Sequence, residues 1–195
     1  MPPKPKFTRE EIVQAALSIV SERGMNALTT RELGERLGSS ARPIFTVFKN
    51  MEELQKEVRA AAMERFEHYT EQSIGEVPLF KQIGMQMVRF GVEEPKLYQL
   101  LFMEEQKGAS NFHAMVDALG TVAERSITFL CQDYHLTKTE AETLFEHVWV
   151  YTFGMGALCA TGMCQFSTEQ LGEMLSTQFQ AMLHLVRAGA DEYNI

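Results

Sequence analysis

Apolar residues in this chain recur almost everywhere at three- and four-residue spacing, and alternating runs are sparse. That pattern restricts the fold to helices packed on helices. Thr8 followed by Glu11 makes a capping box for a first helix. Ile12, Ala15, Ala16, Ile19 and Val20 then lie on one stripe, which Gly24 can close. Thr29 or Thr30 can cap a second helix, with Leu33 and Leu37 inward and Gly38 at its end. Ser39 or Ser40 can cap a third, short helix carrying Ile44, Phe45 and Phe48. A long helix from about Met51 to Ser73 follows, with Leu54, Val58, Ala61, Ala62, Phe66 and Tyr69 inward. Five more helices are predicted over roughly 78–92, 95–106, 110–133, 138–162 and 167–188, with Thr137 and Ser167 as caps. The expectation is an all-α chain of about nine helices. A three-helix domain should cover 1–58 and a larger helical domain 59–195.

The net charge of −8 conceals an asymmetry. Residues 1–60 hold ten Lys and Arg against eight Glu, a net of +2. The rest holds eight of the 18 basic and 18 of the 26 acidic residues, a net of −10. A mildly basic head on an acidic body fits a polyanion-binding module joined to something else. Apolar residues make up 45% of the chain, enough for a substantial core, and thirteen Phe with twelve Met allow an interior that adapts to a guest. There is no apolar run of about 18 residues, so no membrane partner is expected. The N-terminus MPPKPKFTREE lacks the apolar stretch of a secretory signal. Three cysteines, Cys131, Cys159 and Cys164, without a CxxC, argue against a disulfide framework or structural zinc. The cytoplasm is the expected location.

Residues 34–54, GERLGSSARPIFTVFKNMEEL, read as short helix, glycine turn and second short helix. With a third helix behind, that is a helix-turn-helix, whose second helix enters the DNA major groove. The longer run ALSIVSERGMNALTTRELGERLGSSARPIFTVFKNMEEL resembles the N-terminal domain of tetracycline-repressor (TetR) family transcription factors over roughly residues 8–58. The matching features are Gly24, Leu28-Thr29-Thr30-Arg31, Leu37-Gly38, the Ile44-Phe45 knuckle with Phe48, and Glu52-Glu53-Leu54.

The resemblance implies a role for specific residues. Thr29 and Thr30 match a helix start that holds a DNA phosphate, and Arg31 a residue that reaches a base edge or phosphate. Ser40, Ala41, Arg42, Pro43, Phe45 and Thr46 match the recognition element, with Lys49 just beyond it. Arg42 alone among the groove-facing positions can make a bidentate contact with guanine, so it is expected to carry direct readout. Two positions depart from the family. Phe45 stands where a tyrosine hydroxyl usually meets a phosphate, and Met51 where a lysine usually begins the next helix. Weaker or more salt-sensitive DNA binding is the expected consequence.

The same resemblance implies a body that dimerises and binds an effector. LFEHVWVYTFGMGALCATGMC is apolar on nearly all sides, so its helix should be covered on more than one face. Gly154, Gly156, Ala157 and Ala160 would let helices approach closely. With the stripe on the last helix, two copies would build a four-helix homodimer interface. An effector cavity would draw on Met85, Phe90, Tyr98, Phe102, Met103, Phe112, Met115, Phe129, Trp149 and Phe153, some of which are plain core instead. Catalytic readings are weak. Gly154-x-Gly156 lacks its third glycine and sits in helical periodicity, and the five histidines have no HExxH spacing. No enzyme activity, cofactor or metal is expected. The reading is a homodimeric repressor that binds a palindromic double-stranded operator and is released by a small hydrophobic effector. The rival is a helical interaction or small-molecule-binding protein whose head no longer binds DNA.

Overall fold

The computed structural model describes residues 6–72, 76–104 and 111–189, and among them there is no strand. Nine α-helices run in order: α1 Arg9–Arg23, α2 Thr30–Arg36, α3 Met51–Glu71, α4 Leu79–Glu93, α5 Pro95–Tyr98, α6 Phe112–Asp117, α7 Thr121–Tyr134, α8 Lys138–Ala160 and α9 Thr168–Ala188. The local start signals are realised. Thr8 with Glu11, Thr137 with Glu140 and Ser167 with Gln170 form reciprocal capping boxes. Thr29 accepts from the Glu32 amide.

Three stretches differ from the periodicity. The third short helix is only a 3-10 turn, Ile44–Thr46. The predicted helix over 95–106 is the single turn α5, which passes into a π-helical turn at Gln99–Met103; 105–106 lie outside the described residues. The predicted helix over 110–133 is broken into α6 and α7 at Gly120, whose φ of 53° suits glycine better than residues with a Cβ. Ser73, the expected end of the long helix, also lies outside the described residues.

By contacts the chain divides into two compact units. One runs to Phe66 and regains Glu94–Glu104; the other holds Glu67–Glu93 and the residues from Glu105 onward. The sequence-based division at 58 falls in the same helix, α3, about two turns earlier.

In the first unit, Ile12, Ile19, Leu33, Ile44, Leu54 and Phe66 are fully buried. Pro95 occupies the first turn of α5, where its missing N–H costs nothing. Glu94, just before it, is held by Arg65 of α3 and by the Ser21 hydroxyl of α1 at 2.6 Å. The Leu100 carbonyl in the π-turn accepts Arg59 Nη1 at 2.5 Å, while Arg59 Nη2 reaches Glu104 at 2.8 Å. A widened turn is thus tied to α3 by one guanidinium.

In the second unit, α4, α8 and α9 enclose Met85, Val88, Met155, Leu171 and Leu175, with Tyr151, Cys159 and Phe166 packed on that cluster. Phe80 lies 5.5 Å from Phe179 and 6.5 Å from Phe145, centroid to centroid. Two glycines bring α4 and α8 close together. A Cβ on Gly91 of α4 would stand 2.8 Å from the carbonyl oxygen of Gly156 on α8. Gly156 therefore permits close packing within the chain, whereas a Cβ at Gly154 would meet nothing within 4 Å.

Gly91→Ala should force α4 and α8 apart. The neighbour is backbone and cannot swing aside, so the expected loss is about 1–3 kcal/mol, as for other overpacked cores. Urea unfolding followed by circular dichroism reads this as a lower midpoint. An unchanged midpoint would mean that the helices do not cross so closely.

Candidate nucleic-acid interface

The face that could meet DNA is built by a tight corner. After α2 the chain turns at Gly38, φ 61°, and the Ser39 amide returns to the Gly34 carbonyl at 2.9 Å. A Cβ on Gly34 would stand 3.0 Å from the Ser39 carbonyl oxygen, so the turn folds down against α2 because position 34 has no side chain. The next residues wind on three-residue hydrogen bonds: Ile44 to Ala41 at 3.1 Å, Thr46 to Pro43 at 3.2 Å and Val47 to Ile44 at 3.1 Å. Pro43 lacks an amide donor, and the Thr46 hydroxyl donates to the Pro43 carbonyl at 2.6 Å. Both features draw the backbone away from a regular α-helix. Ile44 and Phe48 are buried and anchor the segment; Arg42, Phe45, Thr46 and Lys49 stay exposed.

Arg9, the first residue of α1, fastens this segment to α3. Its guanidinium donates to Glu57 at 2.5 and 3.0 Å, to Glu53 at 2.7 Å and to the Val47 carbonyl at 3.3 Å. It also lies 4.3 Å from the centroid of the Phe48 ring, a cation–π contact. Asn50 accepts the Glu53 amide at 2.8 Å, and the Glu53 carboxylate accepts the Lys49 amide at 2.8 Å, which starts α3 directly after this segment. The Arg9 hydrogen bonds, with the Lys49 amide as a second cause at Glu53, hold the Glu57 and Glu53 carboxyls below their usual range. On the other flank, Arg36 pairs with Glu22 at 2.6 Å and lowers that carboxyl to about 2, and Arg23 pairs with Glu32.

This neutralisation sorts the basic residues. Arg31 pairs with Glu35 at 2.9 Å along its own helix, although its side chain is 88% exposed. Neither Arg42 nor the Lys49 ammonium has an ion-pair partner among the described residues. Thr29 spends its hydroxyl oxygen on the helix cap, and Thr30 opens α2. Ser40 is exposed, and Ala41 and Pro43 are half-buried beside it. Sequence reasoning missed Lys6, whose ammonium donates to the Ser39 hydroxyl at 3.1 Å and so adds a cation to the corner. The basic, proline-rich arm was its only signal in the sequence.

The residues expected to line an effector cavity separate by unit. Tyr98, Phe102 and Met103 belong to the first: Tyr98 is buried, Phe102 lies 4.9 Å from it and 5.0 Å from Phe66, and Met103 is exposed. Phe90, Phe112, Met115, Phe129, Trp149 and Phe153 belong to the second. Phe90 is fully buried against Tyr69 at 5.4 Å. Trp149 stacks on Phe153 at 5.5 Å and takes the edge of Phe112 at 6.5 Å, the one aromatic group among these that the structure gathers across two helices of this unit. Met115 and Phe129 are half-buried on α6 and α7. Met85 is core.

Because Glu22 is depressed from an ordinary 4.5 to about 2, its pairing stabilises the fold above about pH 4.5. That contribution fades as pH falls from 4.5 towards 2. The pair is solvent-exposed, so the effect is modest and shrinks with salt. In thermal unfolding at low salt, Arg36→Gln should flatten the fall of the midpoint across that pH window. An equally steep fall in the variant would remove the pairing as its cause.

Residues 12–58 match the sequence profile described as bacterial regulatory proteins, tetR family. Three solved structures illustrate the shared fold. A transcriptional regulator from Rhodococcus sp. Rha1 superposes with TM-score 0.68 at 15% identity, over 91% of this chain and 97% of its own. A candidate transcriptional regulator of the TetR family from Vibrio parahaemolyticus gives 0.65 at 16%, over 89% and 97%. A TetR variant from Acinetobacter baumannii AYE in complex with minocycline gives 0.59 at 18%, over 94% and 98%. A search of curated protein sequences returns no significant match. The profile match lies over the corner that carries Arg42 and Lys49, and the fold match spans nearly all of the chain. Residues 12–58 thus match the tetR family of bacterial regulatory proteins, and the chain as a whole shares the fold of these solved regulators.

Proposed function

We propose that the chain acts in the cytoplasm as a homodimeric repressor that reads a palindromic operator and is released by a small hydrophobic effector. The observation that carries the DNA reading is the exposed recognition segment, anchored by Ile44 and Phe48 and clamped by Arg9, with Arg42 and Lys49 without a salt bridge among the described residues. Arg42 is the base-reading side chain; Lys49, Arg31 and Thr30 face phosphates. A head kept only as scaffold would not need two unpaired cations on this surface. Among the described residues no helix is long and apolar enough to cross a membrane, in keeping with a partner in solution.

Dimerisation through α8 and α9 is supported by apolar side chains left exposed on those helices: Val150, Leu158 and Met174. Gly154 adds open space on α8. The effector reading draws on the Phe112–Trp149–Phe153 group and on the minocycline complex of the Acinetobacter relative. Release works by population shift. The effector favours a body conformation in which the two recognition segments no longer match grooves about 34–36 Å apart. α3, which begins beside the recognition segment and ends in the second unit, is the lever.

Fluorescence anisotropy on the DNA flanking the chain's own gene, against scrambled DNA at two salt concentrations, tests the whole reading. Selective, steeply salt-dependent binding is expected. Arg42→Ala should cost about 1–3 kcal/mol and relax preference at one base position. An unchanged base profile would take direct readout away from Arg42. In sedimentation, Leu158→Glu should convert a dimer into a monomer that keeps its helical signal. A dimer that survives the charge would move the interface elsewhere.

A further inference from the structure

Phe45 is the one large aromatic side chain left well exposed among the described residues, at 47% of its surface. Its neighbours on either side in the turn are spoken for. Ile44 and Phe48 are buried, and the Arg9 guanidinium lies against the Phe48 ring, so the platform that presents Phe45 is fixed from beneath. Arg42, Phe45, Thr46 and Lys49 are all exposed on this segment. The segment is short of polar reach. Thr46 turns its hydroxyl hydrogen back to the Pro43 carbonyl, and Ala41 and Pro43 carry none. Phe45 has no group that can hydrogen-bond a phosphate or a base edge. A ring held at such a surface gains by covering another apolar group. Base edges in the major groove offer one such group, the C5-methyl of thymine.

We propose that Phe45 is a specificity-determining residue that packs on a thymine methyl in each half-site, so that the operator is read by Arg42 through hydrogen bonds and by Phe45 through shape. The inference rests on the DNA-binding reading above. It also changes what an aromatic without a hydroxyl means here: a phosphate contact is exchanged for a base contact, and non-specific affinity falls relative to specific affinity.

The probe is the duplex that the full-length protein enriches from a pool of random-sequence DNA, with each thymine replaced singly by deoxyuridine. The replacement removes one methyl and leaves every hydrogen-bonding group in place. Covering a methyl by the ring predicts one thymine per half-site whose replacement weakens binding about fourfold, and about fifteenfold when both half-sites are changed. In Phe45→Ala the same replacements should have no effect, while sensitivity to the guanine read by Arg42 remains; Phe45→Leu, which keeps an apolar side chain, should retain part of the methyl dependence. Because the wild-type protein alone yields the first result, the test does not depend on how the variants fold. Enrichment of a duplex with indifference to every uridine, or a methyl dependence that persists in Phe45→Ala, overturns the assignment and leaves the regulator reading standing. Failure to enrich any duplex overturns both.

Discussion

The head depends on one guanidinium. Arg9 stands at the start of α1, yet it holds two carboxylates on α3, a carbonyl in the recognition segment and the face of a buried ring. Without that contact the segment between α2 and α3 would be secured mainly by the buried side chains of Ile44 and Phe48, because its backbone forms no regular helix. A short 3-10 turn has poorer hydrogen-bond geometry than an α-helix and holds its shape less well alone. The clamp compensates by approaching from outside the turn. Its planar fork suits this task in a way a lysine's point charge would not.

Most of the fold was legible because its signals are local. A capping box needs only four residues, and Thr8, Thr137 and Ser167 mark starts that the structure places where the spacing does. The misses have tertiary or competitive causes. The apolar spacing of Ile44 and Phe48 suggests a helix, but Pro43 and the Thr46 hydroxyl divert the hydrogen bonds that an α-helix would need. Gly120 interrupts a stretch whose periodicity continues on both sides of it, so the pattern hides the break. The π-turn at Gln99–Met103 is secured by Arg59, 41 residues from Leu100, and nothing in the local sequence announces it.

The interface shows the same division. The residue types at the candidate interface can be read from the sequence. Which cations remain available cannot be, since that depends on partners far along the chain: Glu53 and Glu57 for Arg9, Glu22 for Arg36, and Ser39 for Lys6. An acidic protein can thus leave cations without ion pairs on one exposed segment without a basic composition. Its carboxylates pair with Arg9, Arg23, Arg31 and Arg36 and leave Arg42 without an ion pair among the described residues. Among aromatic residues, burial separates packing from exposure in a way spacing could not, as the contrast between Phe45 and Phe90 shows.

The crossing of Gly91 and Gly156 joins backbone to backbone. Side-chain contacts between helices can adjust by changing rotamer, which gives most helix pairs some play. Here there is no rotamer to change. Rotation of α4 about its axis would bring a neighbouring Cβ against the α8 carbonyl, and sliding along the axis would do the same. The two helices therefore have little room to shift against each other at this point. Displacement imposed on α8 cannot be absorbed at the crossing. It is carried along α4 within the second unit.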